Sequence, residues 1–337
     1  MRTLTTAVFF IIANLAFSQT IFTVDSFSRD YYGKISIDDT TEVFSKGHIM
    51  IFERKTHKQI IKVSSDELAL NLHDDKVVAN IKELSYGEQS LIMYNDYNFD
   101  GIKDFAIEDG QNSCYHGPSF QIYLATATGF KSNADFTRLA QEYCGMFEIN
   151  SKEKKINTMT KSGCCWHQFS EFIVENNRPK AIKIIENDQS NFPFLVYSEE
   201  KWNGKKMEKN VRRTIDLEQE GIKVVLSFRL EKNGKQIVLY INDNTLNYAI
   251  IQKDSSVEFS YPGETTDQNS DFRYNQTGNT IIFQNKASIY KIYNAENSIG
   301  IEVTVNSKKY NLAGDLNTKK GDLKNVLLSK PGNVVIN

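Results

Sequence analysis

The sequence predicts an all-β protein, and three observations support this. Short β-prone runs recur between turn signals, almost no stretch has a sustained helical period, and aromatic residues make up 12% of a chain with only 5 prolines. This composition is typical of packed β structure rather than disorder. A length of 337 residues exceeds what one hydrophobic core usually serves, so we expect two domains.

The N-terminus, residues 1–18, has the pattern of a secretory signal peptide. Arg2 supplies the positive charge, an apolar run covers residues 7–17, and Ser18 precedes the expected mature start at Gln19. The run is too short to span a membrane, and no other stretch is long and apolar enough to do so. We therefore expect cleavage near Ser18, a periplasmic or secreted protein, and no membrane span.

Residues 19–197 form the first predicted β domain. Its strands are expected in runs such as "HIMIFERK", "VVANIKEL" and "KAIKIIEN", and "DFTRLAQEY", residues 135–143, is the one expected short helix. Residues 198–220 are dense in charge and poor in apolar side chains, which predicts a linker. A solvated helix or a hairpin is the alternative for this segment.

Residues 221–337 predict a small antiparallel β domain, either a closed barrel or a sandwich. Val224, Leu226, Phe228 and Leu230 alternate onto one face, and an Asn-Gly turn at 233–234 leads to a second alternating strand. Similar runs continue to the C-terminus. A closed barrel would leave no exposed sheet edge.

The net charge of the chain bears on which classes of partner it can bind. Lys and Arg number 40 against 42 Asp and Glu, a net charge of −2 at pH 7. Such a near balance gives no electrostatic footprint for nucleic acid or for an anionic membrane.

The stretch "YNDYNFDGIKDFAIEDG", residues 94–110, predicts a calcium loop. Asp96, Asn98 and Asp100 alternate at loop positions 1, 3 and 5, and the glycine that follows allows a sharp turn. The carbonyl of Ile102 and the carboxylate of Asp104 complete the predicted ligand set. Three carboxylates and an oxygen-only donor set match a hard divalent cation.

This loop is not an EF-hand, because position 12 is Ile107 and the flanking runs are strand-like. A structural Ca²⁺ is expected, since the loop can surround its ion and leave no open position for hydrolysis. An Asx-rich turn without metal is the alternative.

The cysteines Cys114, Cys144, Cys164 and Cys165 all lie within one short region, as expected for disulfides in an exported protein. Three pairings are possible. We favour Cys114–Cys144 with a bond between the neighbours Cys164 and Cys165, because the other pairings place two bridges on adjacent residues. A zinc site formed with His116 and His167 is the alternative.

No catalytic motif stands out. The sequence has no H-E-x-x-H, G-x-S-x-G or Walker motif, and the histidines are scattered. They are His48, His57, His73, His116 and His167. We therefore expect a protein that is not an enzyme, with an unrecognised hydrolase as a lesser alternative.

Two stretches, "DYNFDGIKDFAIEDG" and "SGCCWHQFSEF", resemble a bacterial family of exported calcium-binding proteins with a single β-propeller-like domain. A relative in that family is a periplasmic immunity protein that inhibits a lysozyme-like peptidoglycan hydrolase. The resemblance implies a propeller-like first domain and calcium ligands at Asp96, Asn98, Asp100, Ile102 and Asp104. The C-terminal stretch "VVLSFRLEKNGKQIVLYINDN" is similar to small β-barrel modules related to lysozyme inhibitors.

The function that the resemblance implies is a calcium-stabilised binding protein that acts on a lysozyme-like cell-wall hydrolase or another exported protein. The alternative is a glycan-binding or structural module of the envelope. Tyr115, Trp166 and Trp202 are the aromatic residues that would stack on sugars in that case.

Overall fold

The computed structural model describes residues 19–70, 72, 76–80, 90–262 and 272–337. The predicted signal peptide, residues 1–18, lies outside the described residues. The described chain is nearly all β, with 61% of its residues in strands and two short helices, so the predicted all-β class is confirmed. No helix in these ranges is long and apolar enough to cross a membrane.

The described residues divide into two compact units. One lies within Met1–Lys161 and Phe169–Lys183, and the other comprises Ser162–Gln168 and the described part of Ile184–Asn337. The domain boundaries expected at 197/198 and 220/221 stay a prediction.

Two four-stranded antiparallel sheets begin the first unit, each with its strands in chain order. The first sheet consists of β1 (Thr20–Val24), β2 (Tyr31–Ile37), β3 (Ser45–Glu53) and β4 (Gln59–Leu68). The second consists of β5 (Ile92–Asn95), β6 (Asp104–Ser113), β7 (Gly117–Thr126) and β8 (Gly129–Ser132). The expected strand at 77–84 is not found in its described part, residues 77–80.

Strand β6 is buried on both faces, and this explains its continuous apolar sequence. Phe105 and Ile107 point into a core shared with β2 and β3, where Ile35 and Ile49 are fully buried. Ala106 points the other way, into a second core. That second core also contains Phe120, Ile122, Phe136, Phe147 and Phe172.

The short helix α1 (Ala134–Leu139) covers this second core. Its start is fixed by Asn133, whose side-chain oxygen accepts from the N–H groups of Asp135 and Phe136, as an N-cap residue does. Phe136 and Leu139 are the buried side chains of this helix. The structure therefore confirms the helix predicted at 135–143, although it is shorter.

A six-stranded sheet follows, with its strands in reverse chain order from β14 to β9. It consists of β9 (Glu148–Asn150), β10 (Lys155–Ser162), β11 (Trp166–Glu175), β12 (Arg178–Asp188), β13 (Phe194–Trp202) and β14 (Met207–Ile215). The charged segment 198–220, expected as a linker, contains most of the β13–β14 hairpin, which pairs from Phe194↔Ile215 to Trp202↔Met207.

The remaining strands form one curled ten-stranded sheet, a half-barrel in shape. They are β15 (Lys223–Leu230), β16 (Gln236–Asn242), β17 (Thr245–Ile251), β18 (Val257–Tyr261), β19 (Phe272–Asn275), β20 (Thr280–Asn285), β21 (Ser288–Ala295), β22 (Ser298–Val305), β23 (Lys308–Gly321) and β24 (Val334–Ile336). The spatial order is 18-17-16-15-23-22-21-20-19-24, and the 19/24 pair is parallel. A short helix, α2 (Asn325–Ser329), precedes β24.

The inner face of this sheet carries the core of the second unit. Leu226, Phe228, Leu239 and Tyr248 lie in it, together with aromatic residues of the later strands. Phe283 stacks on neighbouring rings at 4.5 and 4.7 Å between centroids, which adds to the area that it buries. The predicted hairpin with the Asn-Gly turn is confirmed, since β15 and β16 pair antiparallel on either side of it.

A β-bulge in β15 gives the sheet a second apolar face. The register shifts between Val224 and Leu226, so that Val225 and Leu226 both join the inner core while Val224 packs on the outer face. The strict alternation expected from Val224 to Leu230 is therefore wrong at its first position. On the outer face, Val224 packs against a small cluster that includes Tyr240.

We predict that Gly321→Ala strongly destabilises the protein. Gly321 has a φ of +79°, and a Cβ there would overlap the carbonyl oxygen of Val225 in the bulge. We expect a loss of about 2 kcal/mol or more in the free energy of unfolding, measured by urea denaturation. The matched control is Gly278→Ala, because a Cβ at Gly278 meets no atom closer than 3.5 Å. Equal effects of the two changes would contradict the prediction.

Candidate calcium-binding site

The predicted calcium loop, residues 96–103, joins β5 to β6. The two strands close it by pairing Asn95 with Asp104, and the ring of Tyr94 stacks on that of Phe105 at 4.5 Å. Tyr97 is almost fully buried and packs edge-on against Phe147. The loop is thus held at both ends by the strand pair and in the middle by a buried ring.

Asp96, Asn98 and Asp100 are brought together by hydrogen bonds to the loop's own backbone. Asp96 accepts from the N–H of Asp100 at 3.1 Å and from that of Gly101 at 2.9 Å. Asn98 accepts from the same Asp100 N–H at 3.2 Å, and Asp100 accepts from the N–H of Ile102 at 2.8 Å. These Asx turns leave an oxygen-rich loop, and the φ of +90° at Gly101 explains the glycine there.

Asp104 is placed differently from the other predicted ligands. It is fully buried, and its two oxygens accept from the N–H of Tyr97 at 2.9 Å and of Ala125 at 2.8 Å. Burial raises the pKa of Asp104 to about 6; the two N–H bonds oppose the rise, and the charges of Asp100 and Asp96 add to it. Asp104 therefore ties the loop to β7.

A distant turn also supports the loop. The amide of Asn98 donates to the side-chain oxygen of Asn177 at 3.0 Å and to Asp100 at 2.9 Å. Asn177 lies in the turn between β11 and β12, and its carbonyl accepts from the side chain of Asn133 at 3.1 Å. This contact has no local signal in the sequence, because Asn98 and Asn177 are 79 residues apart.

The chemistry of the loop suits calcium, since all its predicted donors are oxygens and two of the clustered side chains are carboxylates. Within the described ranges, however, no three His, Cys, Asp or Glu side chains are grouped so that they could hold a metal ion. Both oxygens of Asp104 accept from backbone N–H groups, those of Tyr97 and Ala125. The calcium assignment stays a prediction.

The cysteines are paired as Cys114–Cys144 and Cys164–Cys165, the pairing that the sequence favoured, and none is free. The zinc alternative needs free thiols, which this structure does not have. Two disulfides are compatible with an exported protein.

A strained turn follows β6 at the opposite end from the calcium loop. Tyr115 and His116 both have positive φ, 53° and 57°, in the single 3-10 turn Cys114–His116. The Cys114–Cys144 disulfide holds this turn, and the N–H of Gly145 donates to the Ser113 hydroxyl at 3.2 Å. The Tyr115 ring is 53% exposed.

The other aromatic and histidine candidates are dispersed. Trp166 and Trp202 are half-buried, in β11 and β13. His116 forms an ion-pair contact with Glu67 at 3.6 Å. His73 lies outside the described residues. The other histidines are half-buried or exposed and lie on separate strands or turns: His48 bonds to Ser64, His57 bonds to Tyr32, and His167 lies in β11.

Glu108 is a buried carboxyl group that sequence reasoning missed. It is fully buried in β6. Its Oε1 accepts from the N–H of Ala69 at 3.2 Å and from Gln111 at 3.1 Å, while Oε2 has no hydrogen-bond partner among the residues that the structure describes. Burial raises the pKa of Glu108 to about 8, opposed by the Ala69 N–H, and the charge of Asp109 adds to the rise. Glu108 is therefore a neutral acid at pH 7.

No protein-family profile matches this sequence, and no curated protein matches it. Among solved structures, the chain is similar to a Xanthomonas type IV secretion system related protein, with 17% identity and a TM-score of 0.44, over 56% of this chain and 92% of that one. Prolyl oligopeptidase B from Galerina marginata matches with 8% identity and a TM-score of 0.24, over 89% of this chain and 42% of that one. A putative 6-phosphogluconolactonase from Bacteroides uniformis matches with 9% identity and a TM-score of 0.22, over 90% and 85%. At these values the comparisons assign no family.

We predict that Glu108→Gln flattens the dependence of stability on pH. Glu108 keeps its proton up to a pKa of about 8 in the folded state, whereas the ordinary value is 4.5. The unfolded chain therefore binds fewer protons between these values, so the contribution of Glu108 to stability is full below pH 4.5 and falls as pH rises towards 8. Glutamine keeps the Oε1 acceptor and cannot ionise.

Urea denaturation at several pH values checks this prediction. The free energy of unfolding of the variant, minus that of the parent, should increase between pH 5 and pH 8 by up to about 1.4 kcal/mol per pH unit. A difference that stays constant over this range would show that Glu108 does not carry the proton.

Proposed function

We propose that this protein is an exported, calcium-stabilised binding protein of the inhibitor or immunity type, and that its partner is a lysozyme-like peptidoglycan hydrolase or another exported protein. The motive is the resemblance carried by "DYNFDGIKDFAIEDG" and "SGCCWHQFSEF". The proposal assigns no catalytic residue.

The observation that carries this proposal is the rigid construction of the loop at 96–103. Its backbone N–H groups are bound by its own side chains, and Asp104 anchors it to β7. At its tip, the side chain of Ile102 is 57% exposed. A loop that is ordered before binding loses little conformational entropy on binding, which favours tight inhibitors.

The turn at Cys114–His116 is a second preorganised element. Its disulfide fixes a backbone that carries two non-glycine residues at positive φ, and Tyr115 is presented to solvent with the ammonium of Lys161 5.2 Å from its ring centroid. Tyrosine is enriched among residues that dominate binding energy at interfaces. The loop and this turn lie at opposite ends of β6. This strand has 10 residues, so the two ends are roughly 30 Å apart.

In this proposal the Ca²⁺ is structural. The side chains of Asp96, Asn98 and Asp100 and the carbonyl of Ile102 would hold it, with Asp104 as the fifth predicted ligand. The ion would offset the repulsion among three nearby carboxylates and stiffen the loop.

The fold proposed with this function is a propeller-like first domain and a barrel-like second one. Two consecutive four-stranded meanders support the first part, because such a sheet is the unit of a propeller blade. The curl of the ten-stranded sheet supports the second part.

Glycan binding is the competing function, and the exposed Tyr115 ring beside Lys161 is the observation that favours it. Retention of the protein on insoluble peptidoglycan, competed by free sugar and lost in Tyr115→Ala, would support this function over inhibition.

We predict that calcium raises the Tm and that Asp100→Ala removes this effect. With calcium at about 100 times its Kd, binding would stabilise the folded state by about 2.7 kcal/mol. In chelator the variant loses only the hydrogen bonds that Asp100 accepts from the Ile102 N–H and the Asn98 amide, so its Tm should fall by less than it does in calcium. Asp66→Ala, which removes an exposed carboxylate that pairs with Lys46 in the first sheet, is the control and should keep the full calcium effect. An equal loss of Tm in calcium and in chelator would mean that the loop is a turn without metal.

We also predict calcium-dependent capture and inhibition of a lysozyme-like hydrolase. Immobilised protein is incubated with envelope and culture-medium extracts in calcium and in chelator, and a captured hydrolase is then assayed with purified protein. Ile102→Glu and Tyr115→Ala test the two ends of β6. If the partner binds through a single compact cleft, only one of these changes should weaken its binding. If lysozyme-type enzymes are neither bound nor inhibited at micromolar concentration, the inhibitor proposal fails.

A further inference from the structure

A cavity of about 500 Å³ lies in the second unit. Its floor is the outer face of the ten-stranded sheet, where Asn242, Asn247 and Ser260 lie on β16, β17 and β18. Its walls are Arg213 of β14 and the segment before β13. This volume is in the range of sites for small organic ligands.

The cavity lies where the apolar side chains that cover the outer face of the sheet end. Ile215 and Leu217 pack over the apolar cluster of Val238, Tyr240 and Ala249. Towards Arg213 the floor changes from these apolar residues to amide and hydroxyl side chains. The cavity lining itself combines these polar groups with phenylalanine and proline side chains.

Arg213 is held in place, and it has no ion-pair partner among the described residues. One of its N–H groups donates to the Ser260 hydroxyl at 3.0 Å, and its guanidinium lies 4.5 Å from the centroid of the Phe194 ring. No described carboxylate lies within ion-pair distance of it. Glu258, which lines the same cavity, is bound by Lys235. A fixed guanidinium with unused N–H donors is suited to a planar anion.

The lining indicates the rest of the ligand. Phe192 stands at the rim with 43% of its surface exposed, next to Phe194, and offers apolar contact. Asn242 and Asn247 offer amide groups that match a peptide or acetamido group. Arg213 is the one arginine in the described lining, and one guanidinium suits a monocarboxylate better than a doubly charged phosphate.

We propose that this cavity binds the carboxylate of a small acid that carries an amide and an apolar group, with Arg213 as the anchor. Two sources share this chemistry: the C-terminal residue of a peptide and an N-acetylated acidic sugar. The site is independent of the calcium loop and of the inhibitor proposal.

The test uses the full mature chain and matched pairs of probes. N-acetylphenylalanine is compared with its neutral amide, and N-acetylmuramic acid with N-acetylglucosamine, by saturation-transfer NMR and isothermal titration calorimetry. We expect at least one acid to bind and its neutral counterpart to bind about 10-fold or more weakly. Which acid binds distinguishes the peptide source from the sugar source.

Variants then locate the binding. Arg213→Gln should weaken the bound acid by about 10- to 100-fold, and Arg213→Lys should weaken it less, because lysine keeps the charge but loses the planar fork. The control is Arg212→Gln on the opposite face of the same strand, which should bind as the parent does. Circular dichroism and the Tm show that each variant folds. Absence of binding by both acids at millimolar concentration, equal binding of acid and neutral probe, or unchanged binding in Arg213→Gln would each overturn the proposal.

Discussion

The burial of β6 on both faces is the constraint on which the first unit depends. Phe105 and Ile107 enter one core and Ala106 enters the other, so the strand cannot shift its register or tilt without exposing one of the two. The segments at the two ends of β6 are attached to this fixed strand. The loop at 96–103 is tied to the strand by Asp104, and the turn at 114–116 follows its last residue and is bridged to Cys144. Two exposed segments are thereby held by one buried strand.

Strand β6 also carries two buried carboxyl groups. Burial of a carboxylate costs free energy, and the surroundings of the two groups offset this cost in different ways. Asp104 receives one N–H donor on each oxygen, which limits the rise of its pKa to about 6. Within the described part of the chain, Glu108 receives donors on Oε1 only, and its pKa rises to about 8. The first group serves as a backbone anchor, whereas the second stays neutral at pH 7.

Local signals in the sequence predicted much of this structure. Alternation and turn chemistry located most strands, the β15–β16 hairpin and α1, and the crowding of the cysteines indicated both disulfides. For the candidate site, sequence reasoning found the turn-forming residues Asp96, Asn98 and Asp100. It could not find the bond from Asn98 to Asn177 or the two donors to Asp104, because these depend on contacts between distant segments. The parallel pairing of β24 with β19 has no local signature either.

The charged segment 198–220 contains most of the β13–β14 hairpin, and its polar composition has a structural explanation. The bulge at Val225 places Val224 on the outer face of the ten-stranded sheet, beside Val238, Tyr240 and Ala249, and this face must be covered. A strand that crosses it needs apolar side chains only where it touches the cluster, and the segment supplies Ile215 and Leu217 there, while residues 208–212 of β14 remain exposed. Its mean composition is therefore polar although its position is structural. Where the apolar contacts end, Arg213 is the first polar side chain over the sheet, and its charge borders the cavity.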